Sequence, residues 1–264
     1  MIDNFTPELA ALLLWLGLGK IAIIGAFTFF NQMSFFKKLQ IFKIDIFQEQ
    51  TSRELKAAWV VLTDTFILAV LVNFDLIRLE PSSLSNIATT FVVFFVWIEV
   101  WFYWTHRWMH QSPTLWKIHE SHHLSEVNQP LTATSFSLVE KLFFYTFSWF
   151  LVPTILSWHI SICPLGIAAY FTYYYISSAI AHANTEYTYS IQRHLPFGLD
   201  KLPASSTGHA LHHARYNADI GIGSCLWHLC QRHGRSSKKS VSWTKSYEPP
   251  GCFDRLIFSS LIPF

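Results

Sequence analysis

The sequence predicts an all-α, integral membrane helical protein with about four transmembrane helices and a histidine-rich cap on the cytosolic side. Three observations point there. Of 264 residues, 51% are hydrophobic and 14% charged, against roughly 25% charged in an ordinary soluble domain. Apolar runs recur that are long enough for the ~20 helical residues a hydrocarbon core requires. Thirteen histidines, most gathered into short clusters, sit in a chain otherwise dominated by Phe, Trp, Leu and Ile. The same figures exclude other classes. A net charge of +2 gives no basic excess for a phosphate backbone, so nucleic acid is not an expected partner. Four cysteines, at 163, 225, 230 and 252, form no C-x-x-C pair and no disulfide framework.

The elements follow in order. The first span runs from about Glu8 to Phe30; it starts acidic and lacks a basic flank and a small-residue cleavage pattern, so it reads as a membrane helix and not a signal peptide. Residues 31–56 carry Lys37, Lys38, Lys43, Arg53 and Lys56 and read as a cytoplasmic loop, part of it in the membrane interface. A second span, about Ala57 to Leu79, and a third, about Ile87 to Trp104, flank Glu80-Pro81-Ser82-Ser83, a turn without Lys or Arg that should face outward. The block from Leu142 to Ala181, broken by Pro153 and Pro164-Leu165-Gly166, reads as two helices or a re-entrant hairpin returning to the same side. Three units result: membrane helices and loop at 1–86, a histidine-box unit at 87–223, and a tail at 224–264.

Chemistry is concentrated in the histidine-box unit. His106 and His110 are four apart, hence about 5–6 Å apart on one helical face. His119-Glu120-Ser121-His122-His123 gives H-x-x-H-H, three imidazoles on one face, and His209-Ala210-Leu211-His212-His213 repeats that spacing. Two identical boxes and an H-x-x-x-H are not an accident of solvated surface. Eight imidazoles are too many for one ion, and a closed site takes about four, so two metals are expected. An iron pair ligated by neutral imidazoles keeps its positive charge uncompensated, which suits it, with dioxygen, to abstract hydrogen from an unactivated C–H bond. The first box also satisfies H-E-x-x-H, so a membrane zinc metalloprotease with Glu120 as general base is the rival reading. That reading leaves His106, His110 and the His209 box without a role.

The order H-x-x-x-H, H-x-x-H-H, H-x-x-H-H on a membrane frame resembles the fatty acid hydroxylase/sterol desaturase superfamily, over roughly Glu99 to Gly223. Ala181-His182-Ala183-Asn184 resembles the His-x-Asn element of many members and adds His182 to the ligand set, with Asn184 beside it. The resemblance implies two iron ions (zinc is an alternative in purified material), dioxygen as co-substrate, and a sterol, fatty acyl or sphingoid lipid to be hydroxylated or desaturated. It also implies a separate electron donor of cytochrome b5 or ferredoxin type with an NAD(P)H reductase. The boxes would lie on the cytoplasmic face, at the inner membrane of a bacterium or the endoplasmic reticulum of a eukaryote. One departure stands out: after Gly221 the chain reads Leu226-Trp227-His228-Leu229-Cys230-Gln231-Arg232-His233, an atypical or frame-shifted tail whose His228 and His233 are not counted as ligands.

Other polar residues keep two readings. Glu99, seven residues before His106, either hydrogen-bonds a ligand histidine or pairs elsewhere in the span. Asp64, Asn73 and Asp75 share that ambiguity, with packing or capping favoured for Asp75 near the helix end. Glu140 reads as a helix-start carboxylate favoured by the dipole. His159 is structural and His194 a loop residue. The aromatics of 91–104 and 170–175 face lipid and interface in the simpler reading and line an acyl or sterol tunnel in the other.

Overall fold

The computed structural model describes residues 6–43, 46, 48–125, 127–185 and 206–215. Expectations that fall on His194, His228, His233 and the tail at 224–264 lie outside the described residues. Within them the chain is helical, with no strands beyond an isolated bridge between Gln40 and Thr185.

Helix α1, Pro7–Gln32, starts where sequence dictates: Thr6 caps it by accepting from the Leu9 N–H, and Pro7 takes the first turn, where no backbone donor is needed. A short turn, α2 (Ser34–Lys37), follows. The second span begins nine residues earlier than expected. Helix α3 (Gln48–Ala57) runs through a tightened turn at Ala58–Val61 into α4 (Leu62–Asn73), so the polar stretch before Ala57 is the first part of the same rod. Asp75, with a φ of 52°, ends it. Helix α5, Leu84–Gln111, is capped by Ser83 and carries the third span seven residues beyond Trp104, through His106 and His110.

Ser112 and Pro113 then redirect the chain. Proline disfavours a helical residue before it, and Ser112 is extended at φ −103°, ψ 121°, while its Oγ caps the new helix α6, Pro113–His123. That break folds the first H-x-x-H-H box back toward His106 and His110. After a tight turn at Pro130–Thr134, a π-helical stretch, Glu140–Phe147, leads into α7 (Ser148–Leu156), and α8 (Pro164–Ala181) returns. Helix α9, Ser206–Arg215, carries the second box.

Among the described residues three helices, Pro7–Gln32, Gln48–Asn73 and Leu84–Gln111, are long and apolar enough to cross a membrane, against about four expected. The block that supplied the fourth is a hairpin of two shorter helices. It leaves the histidine end at Glu140, reaches the opposite end where Ser157 Oγ accepts from the Arg78 N–H, and comes back to His182. Four tyrosines in α8 lower its apolar character, as packing against α1 and α5 allows. Gly166 is required for that packing: a Cβ there would meet Thr90 Cβ at 2.4 Å. The core joins Leu16, Leu68, Phe94, Ile98, Trp149, Phe171 and Tyr175. Outward, the spans present Leu14, Leu18, Phe29, Phe66, Val92 and Val96, an apolar coat suited to lipid. Phe94, Tyr170, Phe171 and Tyr175 of the aromatic runs are packed ring to ring in the core, whereas Trp104 faces outward.

Candidate metal centre

All nine predicted histidines are buried and converge at one end of the bundle. They fall into two groups that could each hold a metal ion. His106, His110, His119 and His123 form one, His122, His182, His209 and His213 the other, and within each the candidate ligand atoms lie within 4.8 Å of one another. The His212 ring sits 4.6 Å from that of His110, 4.7 Å from His123 and 4.9 Å from His106, so it joins the first group.

The box spacing now has a geometric reason. In α6 the pair His119/His123, one turn apart, serves the first group and His122 between them serves the second. In α9 the pair His209/His213 serves the second group and His212 the first. Each H-x-x-H-H helix therefore lies across both groups, and the His123 and His213 rings stack at 4.5 Å where the groups meet.

Outer hydrogen bonds fix the ring tautomers. A carbonyl or carboxylate oxygen only accepts, so the ring nitrogen facing it carries the proton. His122 Nδ1 donates to Ser135 O at 3.1 Å, His182 Nδ1 to Ser178 O at 2.8 Å, and His119 Nδ1 to Glu140 Oε1 at 2.6 Å. Their Nε2 lone pairs therefore point inward. His122 Nε2 and His182 Nε2 face each other at 3.4 Å with no proton between them, an arrangement a shared cation stabilises. His209 Nε2 lies 2.7 Å from His182 Nε2, and neither ring nitrogen of His213 has a hydrogen-bond partner among the described residues. Burial, reinforced by neighbouring imidazoles, holds His122, His123, His209 and His213 well below the ordinary histidine pKa; burial brings His182 to about 4. Neutral, buried nitrogen donors are the set that a borderline metal such as iron or zinc takes.

A dry shell encloses them. Phe102 stacks on His106, Phe136 on His122 at 4.6 Å, and Trp116 packs against His110 and His123. Such a shell limits solvent access and tunes a metal site.

Two residues were expected beside the ligands, Glu99 and Asn184. Glu99 is half-buried, and the carboxylate bonded to a site histidine is that of Glu140. Glu140 does begin a helix, as expected, but its side chain turns onto the centre and also accepts from Tyr145 Oη at 3.1 Å. Asn184, at φ 52°, clasps the backbone of Phe42 through both side-chain atoms and so ties the 40–43 segment to the chain after His182. His159 is exposed in the turn before α8.

Two further networks stand behind the centre: that of Glu54 was not expected from sequence, and that of Asp64 takes the pairing alternative of its two readings. Glu54, fully buried in α3, accepts from Gln50, Ser125, Gln129 and Thr132 and so pins the segment after α6. Asp64 pairs with Lys141 at 2.6 Å and accepts from Thr146. In each case the sequence signal was a charged residue inside an apolar or helical run.

The fold and site together define a helical membrane protein with a double histidine centre. The chain belongs to the fatty acid hydroxylase family, whose model matches residues 91–230, more than half of it. It is similar to very-long-chain aldehyde decarbonylase CER1 of Arabidopsis thaliana, 27% identical over 126 residues, covering 47% of this chain and 20% of that protein. Very-long-chain aldehyde decarbonylase GL1-4 of Oryza sativa subsp. indica is 23% identical over the same coverage. The chain thus spans about a fifth of the length of these curated relatives. No solved structure matches. The zinc-protease reading is not supported: its His119 and His123 are two members of a larger histidine group, within a family of another chemistry.

Proposed function

We propose that this chain is a membrane-bound, two-iron oxidoreductase that uses dioxygen to oxidise a lipid. The carrying observation is the pair of four-histidine groups sharing two H-x-x-H-H helices. His106, His110, His119 and His123, with His212, would hold one iron; His122, His182, His209 and His213 would hold the other. Bound irons would supply the dioxygen activation that attack on an unactivated C–H bond requires.

The chain's own residues supply geometry. Ser135, Ser178 and Glu140 orient three imidazoles through their outer nitrogens, as carboxylates and carbonyls do around metal-bound histidines. Phe102, Trp116 and Phe136 exclude water from the rings. No side chain is needed as a nucleophile.

The substrate class is a long-chain lipid: family membership supports a fatty acyl, sphingoid or sterol chain, and the relatives' names add long-chain aldehydes. Hydroxylation and desaturation begin with the same hydrogen abstraction. Electrons would come from a separate donor of cytochrome b5 or ferredoxin type with an NAD(P)H reductase. The basic segment 31–43 lies at the histidine end, where Asn31 Nδ2 donates to Ala183 O, which favours a cytoplasmic centre under the positive-inside rule.

The test is mass spectrometry of lipid extracts under isotopically labelled dioxygen, comparing cells with the intact protein and cells with His122→Ala. A lipid gaining label only with the intact protein defines a hydroxylase. One losing two hydrogens without label defines a desaturase, and one shortened from an aldehyde defines the activity named for the relatives. Identical profiles with a reductase system present would overturn the proposal.

A further inference from the structure

Lys20 lies near the midpoint of α1, in the middle of a membrane span, and is 1% exposed. Its Nζ has no hydrogen-bond partner among the described residues. Three aromatic rings surround it: Phe136 and Tyr174 at 5.6 Å and Tyr175 at 6.0 Å. An ammonium in such a place is costly, and ring contacts leave its three N–H donors unmet. The buried carboxylate of Asp64 is engaged through Oδ1 by Lys141 and Thr146. The position adjoins the metal centre. Phe136 touches both Lys20 and the ring of His122, a member of the second histidine group.

We propose that Lys20 is a substrate-positioning residue: its ammonium donates to the carbonyl or carboxylate oxygen at the end of a long-chain lipid and holds that end beside the second histidine group. The three rings keep water from competing for the donors. The lysine thereby selects oxygen-bearing lipids over plain hydrocarbon. This rests on the reading of the centre as a lipid oxidoreductase, and it adds which end of the lipid is held and by what.

The experiment uses the full chain, iron-loaded in detergent, with octadecanal, octadecanoate and octadecane as probes, and Lys20→Met, Lys20→Gln and Lys20→Arg as variants. Lys20→Met should weaken binding of the oxygenated probes by about ten- to hundredfold, the effect of losing a hydrogen bond to a charged group, and leave octadecane unchanged. Lys20→Arg should restore octadecanoate. Loss confined to octadecanoate identifies a carboxylate as the ligand, and loss confined to octadecanal a carbonyl. In turnover the same variants should raise KM for the oxygenated lipid more than they lower kcat. If Lys20→Met does not fold, Lys20→Gln carries the comparison, with the same selective loss expected to a smaller degree. Equal affinity of wild type and variant for all probes, or equal weakening of octadecane, would overturn the proposal in favour of a packing role. Iron content separates the two readings: a wild-type chain that takes up no iron defeats the oxidoreductase reading, whereas normal iron with binding indifferent to Lys20 defeats this one alone.

Discussion

At the scale of single residues the centre depends on groups that touch no metal site directly. Glu140 bonds His119 at 2.6 Å from a fully buried position, so it fixes the ring's tautomer and orientation. Glu140→Gln keeps the shape and removes the charge; iron affinity should fall by about ten- to hundredfold, the usual effect of losing such a partner, with the fold intact by circular dichroism. Asp64 presents a different case. With Lys141 it forms a buried ion pair at 2.6 Å, and breaking one side of such a pair costs about 3–5 kcal/mol. Asp64→Leu should therefore lower stability sharply in a denaturant series, and adding Lys141→Met should recover much of the loss. Sequence made the histidines legible, because spacings of three and four residues fix a shared helical face whatever the fold. It did not show which group each would join, since that follows from how α6 and α9 lie across one another. Nor did it show the partner of Glu140, which is 21 residues away at the bond, or the isolation of Lys20, whose single charge disappears into an apolar run.

Among the elements, breaks matter as much as helices. Ser112 and Pro113 end α5 and start α6 within one residue of each other, and this brings the two box-bearing segments face to face. The sequence signal for that turn is a cap residue followed by proline. The start of α3 was not legible in sequence, because its polar face satisfies itself internally: Glu54 collects four side-chain donors and needs no solvent. The close approach of α8 to α5 rests on Gly166. A methyl group there meets Thr90 Cβ at 2.4 Å and the Ile87 carbonyl at 3.0 Å, so Gly166→Ala must displace a helix. Overpacking of this kind costs about 1–3 kcal/mol, and the melting temperature of the purified variant should fall accordingly, with His182, at the end of α8, carried out of register.

For the molecule as a whole, five of the buried imidazoles make stability depend on pH. His122, His123, His209 and His213 are held well below 6.5 and His182 at about 4, with burial the main cause. In the unfolded chain these groups take up protons below about 6.5, and in the folded chain they do not. These histidines therefore add no pH dependence above pH 6.5 and lower stability as pH falls below it, by about 1.4 kcal/mol per pH unit for each. His182 stops contributing to the decline below about pH 4. Chemical denaturation of the metal-free chain across this range should show that slope, and a chain stable from pH 7 down to 4 would contradict the burial of the centre. The central claim is that two metals, not one, occupy the converged histidines. Iron per chain, measured by elemental analysis after anaerobic loading of the purified protein, tests it most directly. The account predicts two irons in the wild type, with one retained when the second group alone is broken by His213→Ala and His182→Ala together. A saturating value of one in the wild type, or both irons retained in that double variant, would contradict it.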